Sequence, residues 1–373
     1  MIKIRMGFSL ELMFDMKFDP ILLKTMIGGA SVLDMSHLRM QTRQQAKEFL
    51  LAYGYDIDND SDSARLWSFH RRAVTYIETQ LLTDGKKVPQ DLAEAVLLKD
   101  LANLLLWASE AEPKERKQWA CAILRVMHVL NHLSNDLFTA FSDEIQDQIL
   151  HSYQDHIVND ENGRVTLGRV DEEERIQLEK FDIKPFKTSN SSITKLLAKP
   201  EEVAFGLMDK MGVRFVTRSV FDCFRVLRWL VRHNVVSYPH LIPDQSNNTL
   251  YPLNLFVEAI GEMESRKITA PDAIESYLQE KLAQTQDRAS YREKLNVFTS
   301  RDYRFMKFIV RRLIRTRADS QGKPFMFYYP YEVQIMDLAT FERNSIGPSS
   351  HAEYKARQRQ RAYERVFRPE ARS

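Results

Sequence analysis

The chain has 373 residues, of which 44% are hydrophobic and 28% charged, and 53 Lys+Arg stand against 51 Asp+Glu for a net charge of +2. That length predicts two domains rather than one core. The even charge balance excludes a whole-molecule attraction to nucleic acid or membrane, so any such attraction is local. Cys121 and Cys223 stand alone in apolar surroundings, which excludes a disulfide framework and predicts a reducing, cytoplasmic setting. Charges at Lys3, Arg5, Glu11, Asp15 and Lys17 break up the apolar N-terminus, so no signal peptide is expected. No uncharged apolar run approaches the ~18 residues of a membrane span.

Residues 40–155 read as successive helices. In "QTRQQAKEFLLAYG", Thr42 is a candidate N-cap and Gly54 a candidate stop. "SDSARLWSFHRRAVTYIETQLLTDG" places Leu66, Phe69, His70, Ala73, Val74 and Ile77 on one face. "PQDLAEAVLLKDLANLLLWASEAEP" opens on Pro89 and is apolar nearly all round, predicting one central helix. "ERKQWACAILRVMHVLNHL" follows, then "SDEIQDQILHSYQDHIV", with Ser142 as the expected N-cap.

The glycines and acids of "VNDENGRVTLGRVDEEER" predict a boundary near residue 165, dividing the chain into a helical domain (1–165) and a second domain (166–373). Strands are predicted at 212–218, 304–314 and 323–336. The last should bury Phe325, Phe327, Tyr329, Tyr331, Val333 and Ile335, and Pro330 requires an edge or a bulge there. Helices alternate with these strands, including a helical insertion near 238–294. The fold class expected is α+β: an all-helical N-terminal domain, then a domain with a small mixed sheet flanked by helices.

Glu332 and Gln334 share the face of their strand opposite the apolar one, with Tyr328. A second carboxylate, Asp209, precedes the strand at 212–218. Two carboxylates on neighbouring strands suit Mg²⁺, which takes oxygen ligands and shares them with substrate phosphates. The alternative is that each carboxylate pairs with an arginine such as Arg214. Lys187, Ser191 and Lys195 recur every four residues and would form a phosphate-binding helix face, or simply a solvated one. The basic stretch 292–317 includes Lys307 and Arg311 on one strand face; it suits nucleotide phosphates or RNA, or forms a solvated outer face. His128 and His132 stand at i, i+4 but lack the glutamate of a zincin motif, which favours a buried or interfacial pair over a metal site. No Gly-rich phosphate loop, paired CxxC or GxSxG elbow occurs.

In this order the pieces resemble the synthetase domain of RelA/SpoT-type alarmone synthetases over roughly residues 170–365. "YEVQIMDLATFERNSIGPSSHAEYK" is similar to that family's E-x-Q-I-R strand followed by G-x-A-A-H-x-x-Y-K, with Glu332, Gln334, Ile335, Gly347, His351, Tyr354 and Lys355 in register. "DKMGVRFV" resembles the D-x-x-G-[IV]-R strand, and "KTSNSSITKL" an ATP-phosphate element. "KLNVFTSRD" stands where the family has K-x-N-G-Y-x-S-L-H, with Phe298 in place of the tyrosine that stacks on guanine. Four positions depart from the family pattern: Pro185, Val297, Asp302 and Met336 replace Arg, Gly, His and Arg.

The resemblance implies transfer of pyrophosphate from ATP to the ribose 3′-hydroxyl of GDP or GTP, that is (p)ppGpp synthesis. It makes Asp209 and Glu332 catalytic and Mg²⁺-binding. It assigns Lys187, Ser191, Lys195, Phe298, Gln334, His351 and Lys355 to nucleotide binding. Two alternatives follow: a pyrophosphokinase acting on the 3′ end of tRNA, or a catalytically degenerate regulator that binds nucleotides or a partner. The helical half lacks the HD dipeptide of the family's hydrolase domain, so no alarmone hydrolysis is expected.

Overall fold

The computed structural model describes residues 38–82, 85–110, 113–134, 140–161, 163–169, 174–184, 189–199, 208, 210–292, 303–318, 324–346 and 351–367. Asp209, Lys187 and Phe298 lie outside them. The architecture is mixed α+β, with helices packed around a seven-stranded mixed sheet.

The chain opens with α1 (Arg43–Tyr53). Thr42 caps it in a capping box with Gln45, and Gly54 stops it at φ 106°. Helix α2 (Asp60–Tyr76) is capped by Asn59 and runs into a π-helical turn, Ile77–Leu81. The single helix expected from Pro89 onward is instead three pieces: α3 (Gln90–Ala93), α4 (Ala95–Leu98) and α5 (Ala102–Ser109). Lys99 at φ 63° ends α4, and the Asp100 carboxylate accepts from the Ala102 N–H while its other oxygen binds Arg43. The all-round apolar pattern therefore marks a folded-back segment with Val96 and Leu97 exposed. Helix α6 (Lys114–Ser134) is the long central one. Helix α7 (Ser142–Gln154) starts at Ser142, but its cap is Phe141; the Ser142 hydroxyl donates to Asp143 instead of capping.

The strands are β1 (Ile157–Asn159), β2 (Val165–Leu167), β3 (Ile176–Lys184), β4 (Gly212–Thr217), β5 (Asn247–Asn248), β6 (Met306–Ala318) and β7 (Pro324–Asp337). Their order is β1-β2-β3-β4-β7-β6-β5, with β4 and β7 parallel and all other pairs antiparallel. The helices among and after them are α8 (Ser189–Ala198), α9 (Val220–Arg232), α10 (Leu253–Ser265), α11 (Pro271–Gln284), α12 (Leu338–Asn344) and α13 (His351–Val366). Strand β7 lies in the middle of the sheet, yet Pro330 fits there. Glu332 donates its N–H toward β4, to the Met211 carbonyl, and strand alternation points the Pro330 nitrogen the same way. Strand β4 starts only at Gly212, opposite Glu332, so no ladder bond is lost at Pro330.

Phe327, Tyr329, Tyr331, Val333 and Ile335 are buried as expected, packed against α7 and α9. Phe325 is exposed because β7 has run past the core there; its ring meets Phe141. Packing joins segments on either side of residue 165. Helix α7 contributes Ile145, Ile149 and Tyr153 to the sheet core. Helices α8 and α13 contribute Ile193, Leu196, Leu197, Ala362 and Val366 to the helical core. Hydrogen bonds from Arg125 to the Val366 carbonyl (2.7 Å) and between Tyr76 and Thr194 (2.6 Å) tie α13 and α8 to the helical core. Helices α10 and α11, within the predicted insertion, form a small core of their own around Tyr251. No helix among the described residues is long and apolar enough to cross a membrane.

Candidate functional site

One face of the sheet is covered by α7 and α9. The side chains of the other follow from the strand registers. One row holds Lys184, Gly212, Glu332 and Ile309 on β3, β4, β7 and β6. The next holds Asp182, Arg214, Gln334, Lys307 and Asn247 across β3, β4, β7, β6 and β5. Charged and amide side chains thus cross the sheet on its second face.

Glu332 is the centre of this array and is only 6% exposed. A buried carboxylate needs partners, because losing water costs several kcal/mol. Its partners include the Lys184 ammonium at Oε1 and the Lys307 ammonium 3.3 Å from Oε2. Arg214, the arginine named as an alternative partner, is engaged by other residues of the array. Arg214 donates from Nε to Gln334 Oε1 at 3.0 Å and lies 3.9 Å from Asp182. Gln334 in turn donates to the Tyr303 hydroxyl at 3.5 Å. Lys180 and Arg214 both sit over the ring of Phe341 on α12, at 5.4 and 5.8 Å.

Gly212 explains why the two central strands can come together at Glu332. A Cβ on residue 212 would lie 2.6 Å from the Glu332 carbonyl oxygen, a contact no side chain tolerates. Beside it, burial pushes the Lys210 ammonium down to about 8.

The predicted nucleotide-binding residues fall on two separate supports. Gln334 belongs to the sheet array with Glu332. Ser191 and Lys195 lie one turn apart on α8, and Lys355 on α13 donates to the Ser191 hydroxyl at 3.3 Å. Two segments 164 positions apart in sequence therefore meet through predicted site residues. His351 begins α13. Asp209, Lys187 and Phe298 lie outside the described residues.

Sequence reasoning missed Lys184, Tyr303 and the partnership of Lys307 with Glu332. Lys307 had a signal in its strand alternation. Lys184 had almost none, because β3 carries a bulge between Leu178 and Lys180 that breaks its two-residue period.

As a metal site, the described residues offer Glu332 as one carboxylate, with Asp182 held by Lys180 at 3.0 Å. No group of three His, Cys, Asp or Glu among the described residues is placed to hold an ion. This donor set fits an ion that arrives with most of its ligands supplied by phosphate, as Mg²⁺ commonly does, and does not fit a protein-caged metal. His128 and His132 pack edge to face at 4.4 Å, and the Tyr53 hydroxyl lies 2.7 Å from Nδ1 of the half-buried His128, while His132 is exposed.

A cavity of about 360 Å³ lies elsewhere, beside α7 and the end of α9, lined by His151, His156, His233, Arg312 and Arg315 with Asp147 and Asp155. The carbonyl ends of both helices open toward it, and its two arginines carry the charge that helix C-termini attract.

No protein-family model matches the chain, and no curated protein matches it.

Proposed function

We propose that the chain is a nucleotide pyrophosphate transferase, moving the β,γ-diphosphate of ATP to the ribose 3′-hydroxyl of an acceptor such as GDP or GTP. The observation that carries this reading is the parallel register of β4 and β7. It sets the E-x-Q strand against the G-V-R strand, with Glu332 opposite Gly212 and Gln334 opposite Arg214.

Around Glu332, the cations Lys184, Lys307 and Arg214 supply what a triphosphate demands, namely positive charge on a rigid support. Phosphoryl-type transfer rests mainly on positioning and charge neutralisation, so such a face is well suited to it. An incoming polyphosphate competes with Glu332 for Lys184 and Lys307. The carboxylate released in this way orients the attacking hydroxyl and accepts its proton. Glu332 is also the described residue that would hold Mg²⁺, with Asp209 as its expected partner. Bound there, the ion supplies charge neutralisation on the β- and γ-phosphates. Ser191, Lys195 and Lys355 form a second polar cluster for the donor nucleotide.

The test is incubation of the full chain with Mg²⁺ and γ-labelled ATP, with GDP or GTP as acceptor. Labelled product and stoichiometric AMP are expected. ATP left intact, or hydrolysed with no acceptor labelled, counts against the assignment. A tRNA 3′ end as acceptor, or a chain that binds nucleotide without turnover, are the remaining outcomes and are separated in the same assay.

A further inference from the structure

We propose that the outer part of the same sheet face, centred on Tyr328, binds single-stranded RNA by stacking a base on the tyrosine ring and pairing its phosphate with Arg311. This goes beyond pyrophosphate transfer and does not depend on it.

Tyr328 lies one strand alternation beyond Pro330 on the face that carries Glu332, and it is 49% exposed. In the β6–β7 register its partner is Leu313, and Arg311, paired with Pro330, is the next residue of β6 on this face. The Arg311 guanidinium sits 5.8 Å from the ring centroid, and His240 meets the ring edge at 5.0 Å. The turn that carries His240 also presents Tyr238, which is 69% exposed.

A half-exposed aromatic ring on a rigid strand, with a guanidinium beside it, is what single-stranded nucleic acid uses, because every base has a stacking face and every linkage a negative charge. The acids on this face do not oppose that charge, since Asp182 is paired with Lys180 and Glu332 with Lys184 and Lys307. A flat sheet face with a protruding ring requires unstacked bases, which excludes duplex. The His240 imidazole beside the ring gives a hydrogen-bonding group for a ribose 2′-hydroxyl, favouring RNA over DNA.

The test is fluorescence anisotropy of a 5′-labelled ten-nucleotide RNA and its DNA counterpart, without ATP, over a range of salt. Tyr328→Ala should weaken RNA binding roughly tenfold or more, while Tyr328→Phe retains it. Arg311→Ala should also weaken binding and reduce the salt slope by about 0.7, the loss of one phosphate contact. The control is Arg266→Ala, which removes a guanidinium stacked 5.4 Å from Tyr277 on another surface and should change nothing. Undetectable RNA binding at low salt, Tyr328→Ala equal to wild type, or equal loss in the Arg266 control overturns the proposal. Equal affinity for DNA overturns the assignment to RNA.

Discussion

Gly212 and Glu332 approach so closely that a single methyl on residue 212 would sit 2.6 Å from the Glu332 carbonyl oxygen. The obstacle is backbone, which cannot swing aside like a side chain. Gly212→Ala must therefore separate β4 from β7 at the row that carries the candidate site. A cost of about 1–3 kcal/mol is expected, as for other overpacked positions, read as a lowered melting temperature together with lost activity. An unchanged melt would show that the strands are not held this tightly.

The Lys184–Glu332–Lys307 cluster makes a prediction about additivity. Either lysine alone can neutralise the buried carboxylate, so Lys184→Met and Lys307→Met should each cost about 1 kcal/mol. The double variant removes both ammonium groups from the buried carboxylate and should cost about 3 kcal/mol or more, exceeding the sum of the single changes. Strict additivity in denaturant titrations would mean the two lysines act independently of Glu332.

Burial, with neighbouring His132, holds the His128 imidazole down to about 4, against an ordinary 6.5. Between those values the unfolded chain binds a proton that the folded chain does not. Stability should therefore fall as pH drops from 6.5 toward 4, by up to about 3 kcal/mol. His128→Gln should flatten that part of the pH–stability curve. A wild-type curve with no decline above pH 4 contradicts the assignment.

Lys210 acts with the same sign in an alkaline window. Its folded value is pushed down to about 8 by burial, below the ordinary 10.5. The unfolded chain holds the extra proton between these values, so stability should rise with pH from 8 to 10.5 and be flat below 8 with respect to this group. The difference in slope between wild type and Lys210→Met isolates it from the tyrosines and other lysines that titrate nearby. Equal slopes would show an ordinary, solvated lysine.

These residues also show what the sequence makes legible. The β7 strand is readable because alternation is uninterrupted from Phe327 to Ile335, and the same alternation exposes Glu332 and Gln334 as a pair. The ends of α1 are readable because Thr42, Gln45 and Gly54 act locally. The break within 90–109 is not, since it turns on Lys99 adopting φ 63° and on Asp100 reaching Arg43, 57 residues away. Lys184 is hidden for a similar reason: its partner Glu332 is 148 residues distant, and the bulge in β3 masks the strand that aims it. The union of α8 and α13 with the helical core also depends on long-range packing that no local period announces.

The most direct test of the account is the transfer assay on Glu332. With Mg²⁺, γ-labelled ATP and a nucleotide acceptor, the wild-type chain should release AMP and label the acceptor. Glu332→Gln, which keeps the shape of the side chain and removes its charge, should leave the fold cooperative in a thermal melt and abolish transfer. Full transfer by Glu332→Gln would contradict the central role given to this carboxylate.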